Sequence, residues 1–190
     1  MQNAIREAVV DEMSKWFINV KETTGTVGRL AMNLTAMRQD RASEILTSSK
    51  HTSKLARNLN VGTSWSWPSM KNMILQSEII IGTVFSLKNG DLSGFERYIQ
   101  QISGFFVIEA TVISATTDFR SRASVEALWE MAVSKMNTHI SECLRDCENP
   151  ELFLEVKMCV VAFIQTMEVY GFAVASVMDL MISLVDRLPV

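Results

Sequence analysis

From Ala4 to about Ser48 the chain carries a single helical pattern, in which Met13, Val20, Val27 and Leu34 recur every seven residues. Val9, Trp16, Leu30 and Met37 fall on the interleaved seam. A seven-residue apolar repeat is the mark of coiled coils and helical hairpins, because it keeps one stripe facing a partner helix. Met13, Trp16, Val20, Val27 and Leu34 are therefore the candidate partner-interface residues. Gly25 and Gly28 interrupt the pattern, each costing about 1 kcal/mol relative to Ala inside a helix. Either the helix bends there or another backbone comes close. The "GTVG" they frame lacks the Lys-Ser/Thr and the preceding strand that a phosphate loop needs.

A second stretch, "GFFVIEATVISA" from Gly104 to Ala115, is apolar except for Glu109. A membrane-spanning helix needs about 20 consecutive apolar residues, and shorter runs are more often buried core helices. Upstream, Leu92, Phe95, Ile99, Ile102 and Phe106 recur at steps of three and four, as do Val112 and Ile113 beyond, which is the period of one helical face. The stretch is expected to be the central buried helix of a bundle. Glu109 falls on its apolar face, where a carboxylate needs a donor; Arg97, Arg120 and Arg122 are the candidates.

The rest of the chain follows the same grammar. Thr47 to Ser66 is rich in Ser, Thr and Asn and reads as a polar connection. After Pro68, suited to a first helical position, Met70, Met73, Ile74, Ile80, Ile81 and Val84 form a helical face. "LKNGDLSG" turns the chain into the central helix. Ser124 is the expected N-cap of the next helix, from Val125 to about Cys143, amphipathic through Leu128, Ala132, Met136 and Ile140. Asn149-Pro150, a cap followed by a first-turn proline, opens "ELFLEVKMCVVAFIQTMEVY", which Gly171 closes. The last helix carries Val174, Val177, Met178, Met181, Leu184, Val185 and Leu188. The expectation is an all-α fold, an antiparallel stack or rod of about six helices: a long heptad-bearing helix over 1–48, a polar linker over 49–66 and a helical bundle over 67–190.

Composition agrees. With only 8 Gly and 3 Pro against 12 Met in 190 residues, helices are favoured over turn-punctuated sheets. A chain of this size removes about 70% of its unfolded surface from water, enough for one substantial core. Eighteen basic residues against 21 acidic ones, a net charge of −3, supply no footprint for a phosphate backbone. Nucleic acid is not an expected partner. Three cysteines without a framework of spacings, and no charged-then-apolar leader, fit a reducing cytosolic setting.

Chemistry-bearing constellations are few. His139, Cys143 and Cys147 recur every four residues, and adjacent turns can present two ligands to one zinc ion, but no fourth ligand is evident and packing is the expected role. Glu126, Glu130, Glu142 and Glu151 read as solvated faces, with nothing marking an acid/base pair. No catalytic residue, metal or cofactor is expected. Trp16-Phe17 and Trp65 and Trp67 beside Pro68 are interface anchors or core contacts. Lys50, Lys54 and Arg57 lie on a Ser-rich segment without an apolar face to insert, so membrane association would be peripheral at most. The alternative to a scaffold is a small-molecule-binding bundle or enzyme built around Glu109.

"FERYIQQISGFFVIEATVI", "EALWEMAVSKMNTHI" and "LFLEVKMCVVAFIQTMEVYGFAVASVMDLM" resemble the middle region of the Sec-fifteen subunit of the exocyst, the complex that tethers secretory vesicles to the plasma membrane. "IREAVVDEMSKWFINVKETTGTVGRLAM" is similar to that family's long helix, with its Gly-x-x-Gly-x-x-Ala rhythm at Gly25, Gly28 and Ala31; "WPSMKNMILQSEIIIG" matches more loosely. The resemblance implies a non-enzymatic scaffold of stacked helical bundles that is cytoplasmic and peripheral to vesicles and plasma membrane, with other exocyst subunits as partners. Relatives also bind a Rab-type GTPase, through a C-terminal domain expected to be absent beyond Pro189-Val190. The family's N-terminal coiled-coil part is likewise expected to be missing, and the Lys88 to Asp91 connection replaces a longer helical segment. No GTPase-binding residue is carried over.

Overall fold

The computed structural model describes residues 2–47, 85, 87, 92–115, 121–145, 147 and 149–185; within these, the side chains of 2–10, 13, 16, 17, 41–47, 184 and 185 are not described. The expected helix over Met70 to Val84, the polar linker over 49–66, Trp65 and Trp67 lie outside the described residues. Those that are described form five helices and no strand: α1 (Gln2–Thr47), α2 (Ser93–Ala115), α3 (Arg122–Cys143), α4 (Pro150–Val169) and α5 (Ala175–Val185). The all-α expectation holds.

Helix α1 runs 46 residues, about 69 Å, roughly twice the length of α2 with its 23. The two lie against each other, and both pack on α4; α3 packs on α5 and more lightly on α2. Helix α2 is the centre of the bundle. Phe95, Ile99, Ile102 and Phe106 are fully enclosed, and the run from Gln101 to Val107 is buried on every side of the helix. Full burial of each such side chain contributes about 1.5–3 kcal/mol. Met136 and Ile140 of α3, Val156, Val160, Phe163 and Met167 of α4, and Val177 of α5 close the same core.

The α1–α2 contact is made by small residues. Thr24, Gly28, Ala31 and Thr35, at steps of four, three and four, are the buried face of α1. A Cβ on Gly28 would overlap the carbonyl oxygen of Gln100 and lie 2.7 Å from the amide nitrogen of Gly104; one on Gly104 would overlap Thr24 O and lie 2.7 Å from Gly28 N. Of the two explanations for these glycines, close backbone approach is the one realised at Gly28. Thr24 and Thr35 satisfy their buried hydroxyls locally, donating to Val20 O at 2.8 Å and Ala31 O at 3.0 Å. Each can thus line a dry contact without an interhelical bond.

Helix boundaries follow capping chemistry. Asn149 caps α4, its Oδ1 accepting from Glu151 N at 3.0 Å and Leu152 N at 3.4 Å, with Pro150 behind it. At the other end, Phe172 N donates to Met167 O and Gly171 N to Glu168 O, with Gly171 at φ 82°: a Schellman motif, as the glycine forecast. Helix α3 departs from expectation. It starts at Arg122 rather than Val125, because Ser121, not Ser124, is the N-cap: Ser121 Oγ accepts from Ser124 N at 3.2 Å. Ser124 stands inside the first turn, where its own hydroxyl meets that of Ser121 at 2.7 Å.

Candidate functional site

The heptad stripe on α1 borders the small-residue face that packs on α2. Val20 and Val27 are half-buried and touch the core from its edge, and Leu34 is also half-buried. On the interleaved seam Leu30 and Met37 are 55% and 58% exposed. The physical reason is the crossing at Gly28. Close approach selects the small residues, so the larger apolar side chains are rotated toward solvent. The side chains of Met13 and Trp16 lie outside the described residues. What remains is a half-open apolar strip, Val27, Leu30, Leu34 and Met37, along a helix that extends beyond α2.

Glu109 is buried, at 1% exposure, and is not without an interaction partner. Two of its three expected donors do not fit. Arg97 is exposed and twelve residues away on the same helix, about 18 Å along its axis. Arg122 is committed elsewhere, Nε to Glu126 Oε1 at 2.8 Å and Nη2 to Gly171 O at 2.9 Å. Arg120 lies outside the described residues. The groove nearest this end of α2 is lined by Ala110, Ile113, Arg122, Val125, Tyr170 and Phe172 among others, and Glu109 does not reach it.

His139 and Cys143 share a face of α3, Nε2 and Sγ 4.0 Å apart, and both turn to the backbone of Phe85. Nε2 lies 2.9 Å from Phe85 O and 3.3 Å from Phe85 N, and Cys143 Sγ is 3.9 Å from the same oxygen. Phe85 is itself wedged against Phe95, Tyr98 and the His139 ring, with centroids 4.4–4.9 Å apart. Cys147 turns away and donates to Asn149 O at 3.8 Å. His139 and Cys143 thus hold Phe85 against α3, and among the described residues no three His, Cys, Asp or Glu are placed to share a metal ion. Burial pushes the Cys143 thiol up from its ordinary value, and that of Cys159 to about 12. Glu126, Glu130, Glu142 and Glu151 are all exposed, as expected.

One cluster was missed in the sequence. Trp129 sits between Phe106, Phe172 and Phe163, with centroids 5.0, 4.9 and 5.8 Å away, and its Nε1 donates to Ala173 O at 2.7 Å. Arg122 and Asn137, from the same face of α3, hold Gly171 O and Ser176 O, each at 2.9 Å. Three side chains spaced seven and eight residues apart thus clamp two carbonyls of the α4–α5 connection and one in the first turn of α5. The spacing 122, 129, 137 was the available signal. The described residues contain no helix long and apolar enough to cross a membrane.

The described residues thus form a packed helical body with an apolar strip on its longest helix, and no catalytic group is assembled among them. No protein-family model and no solved structure matches the chain. Exocyst complex component 6B of Mus musculus is 38% identical over 100 residues, which is 50% of this chain and 12% of the relative. Exocyst complex component SEC15A of Arabidopsis thaliana is 22% identical over 211 aligned positions, 92% of this chain and 26% of its own length. Exocyst complex component 6 of Caenorhabditis elegans is 25% identical over 112, covering 59% of this chain and 14% of the relative. The chain therefore corresponds to a minor part of each of these proteins. Over part of its length it is homologous to exocyst complex component 6, the Sec-fifteen subunit, at 22–38% identity.

Proposed function

We propose that this chain is a non-enzymatic scaffold segment of an exocyst-type assembly, contributing to the tethering of secretory vesicles at the plasma membrane through protein–protein contacts. The observation that carries the reading is the 38% identity to exocyst complex component 6B over half the chain. The half-open strip Val27, Leu30, Leu34 and Met37 supports it. Large apolar side chains at heptad spacing on an exposed helix are suited to a second helix, and Leu30 and Met37 are its most accessible members. In this reading the protein is cytoplasmic and peripheral to membranes, its partners are other exocyst subunits, and Glu109 is a structural buried acid. GTPase binding is not part of the proposal.

The test is co-elution of the purified chain with the other exocyst subunits, expressed singly and together. A stable complex with at least one subunit is expected. If the chain elutes alone from every mixture while its circular dichroism stays helical, the reading is wrong.

A further inference from the structure

Helix α4 is apolar on two faces. Its inner face, Leu152, Val156, Val160, Phe163 and Met167, is buried in the core. Down its outer face run Leu154, Met158 and Val169, 56%, 65% and 52% exposed, with the half-buried Val161, which touches the edge of the core, and Gln165 between them. The steps of four, three and eight keep the apolar residues on one stripe about four turns long. Helix α3 is built differently: its exposed positions are polar, charged or alanine, Glu126, Glu130, Lys135 and Glu142 among them, with Met131 the one large apolar residue, at 37%. A helix apolar on opposite faces is one that sits between two layers.

The charges along α4 say what the second layer carries. Beside the stripe stand Glu151 and Glu155 on one edge, with no cation among them, and Glu168 and Lys157 on the other, all exposed. An anionic lipid surface or nucleic acid would meet repulsion there. A helix whose own apolar face is bordered by cations would be complementary both in shape and in charge. We propose that the outer stripe of α4 is a docking surface for an amphipathic helix of a partner protein, with Lys or Arg bordering its apolar face. The proposal does not depend on which assembly the chain joins.

The probes are two labelled synthetic helices with one Leu stripe, bordered by Lys in the first and by Glu in the second, each titrated against the full 190-residue chain by fluorescence anisotropy. The Lys-bordered helix should bind about tenfold or more tighter, an advantage that shrinks as salt is raised. Leu154→Ser with Met158→Ser should weaken it by about tenfold at unchanged ellipticity, since both side chains are exposed. Glu151→Lys with Glu155→Lys should shift the preference toward the Glu-bordered helix without altering the fold. The proposal is overturned if neither helix binds, if both bind equally, or if the Ser variant binds as well as the parent chain. It is equally overturned if sedimentation shows a dimer that the Ser variant abolishes, which would make the occupant a second copy, or if phosphatidylserine vesicles bind in its place.

Discussion

Gly28 and Gly104 face each other across the α1–α2 crossing, each where a side chain would strike the backbone hydrogen bond that ends at the other. The carbonyl of Gln100 accepts from Gly104 N within α2, and that of Thr24 from Gly28 N within α1, as in any α-helix. A methyl on either glycine meets both members of the opposing pair. Backbone cannot rotate away as a side chain can, so Gly28→Ala and Gly104→Ala should each cost about 3 kcal/mol or more in urea denaturation. The double variant should fall short of the sum, because the first methyl already separates the helices. Gly25→Ala is the internal control. Its added Cβ would meet only Gln101 Cγ, at 3.6 Å. It should be neutral or stabilising by about 0.5–1 kcal/mol through helix propensity. Equal losses at Gly25 and Gly28 would refute the close crossing.

The α3 clamp on the α4–α5 connection predicts a local effect larger than its global one. Trp129→Phe keeps most of the ring but removes the donor to Ala173 O. The expected loss is about 1–2 kcal/mol. Hydrogen exchange should rise across residues 172–178 while the α1–α2 amides stay protected. Trp129→Ala also empties the aromatic cluster and should cost about 3–5 kcal/mol. Exchange that rises evenly over the whole chain in Trp129→Phe would mean that the bond is not a local clamp.

Alkaline titration reads the depth of Tyr98. Burial raises its hydroxyl from 10.0 to about 12. Since the folded value lies above the unfolded one, the stability this group contributes is complete below pH 10 and is lost as pH rises from about 10 to 12. Absorbance at 295 nm should show a phase near pH 12 that Tyr98→Phe removes, and the variant should lose less stability over that window. A phase that disappears near pH 10 in the variant would place Tyr98 at the surface.

Much of this architecture was legible because the signals were local. Asn149-Pro150 and Gly171 act within a turn of where they stand, and the period of Phe95, Ile99, Ile102 and Phe106 needs only its own helix to be read. Ser121 and Ser124 show the limit of that grammar. Both are competent caps three residues apart, and which one accepts depends on where the helix ends, not on side-chain type. The face by which α1 packs on α2 was not legible, for a different reason. Apolar size is a good guide to burial when packing is side chain on side chain, but at Gly28 and Gly104 packing is backbone on backbone, and there Thr24, Ala31 and Thr35 outcompete Leu30 and Met37 for the interior. Gly104 was visible inside a run of bulky residues; its pairing with Gly28, 76 positions earlier, is a tertiary fact that no window of sequence contains.

That division along α1 separates folding from binding by mutation. Val20 and Val27 touch the core, so a buried charge at either should lower stability, by about 1–3 kcal/mol for Val27→Glu. Leu30 and Met37 are more than half exposed, so Leu30→Glu and Met37→Glu should leave the urea midpoint within about 0.5 kcal/mol of the parent chain. If the seam takes a partner helix, the exposed pair should still weaken co-elution with exocyst subunits, by about tenfold or more for the double variant, since a charge at a coiled-coil core position loses its apolar contact and must be desolvated. Both readouts are needed. Loss of stability in Leu30→Glu would mean that the seam is covered within the chain. Undiminished binding in a folded Leu30→Glu, Met37→Glu protein would move the partner surface off α1.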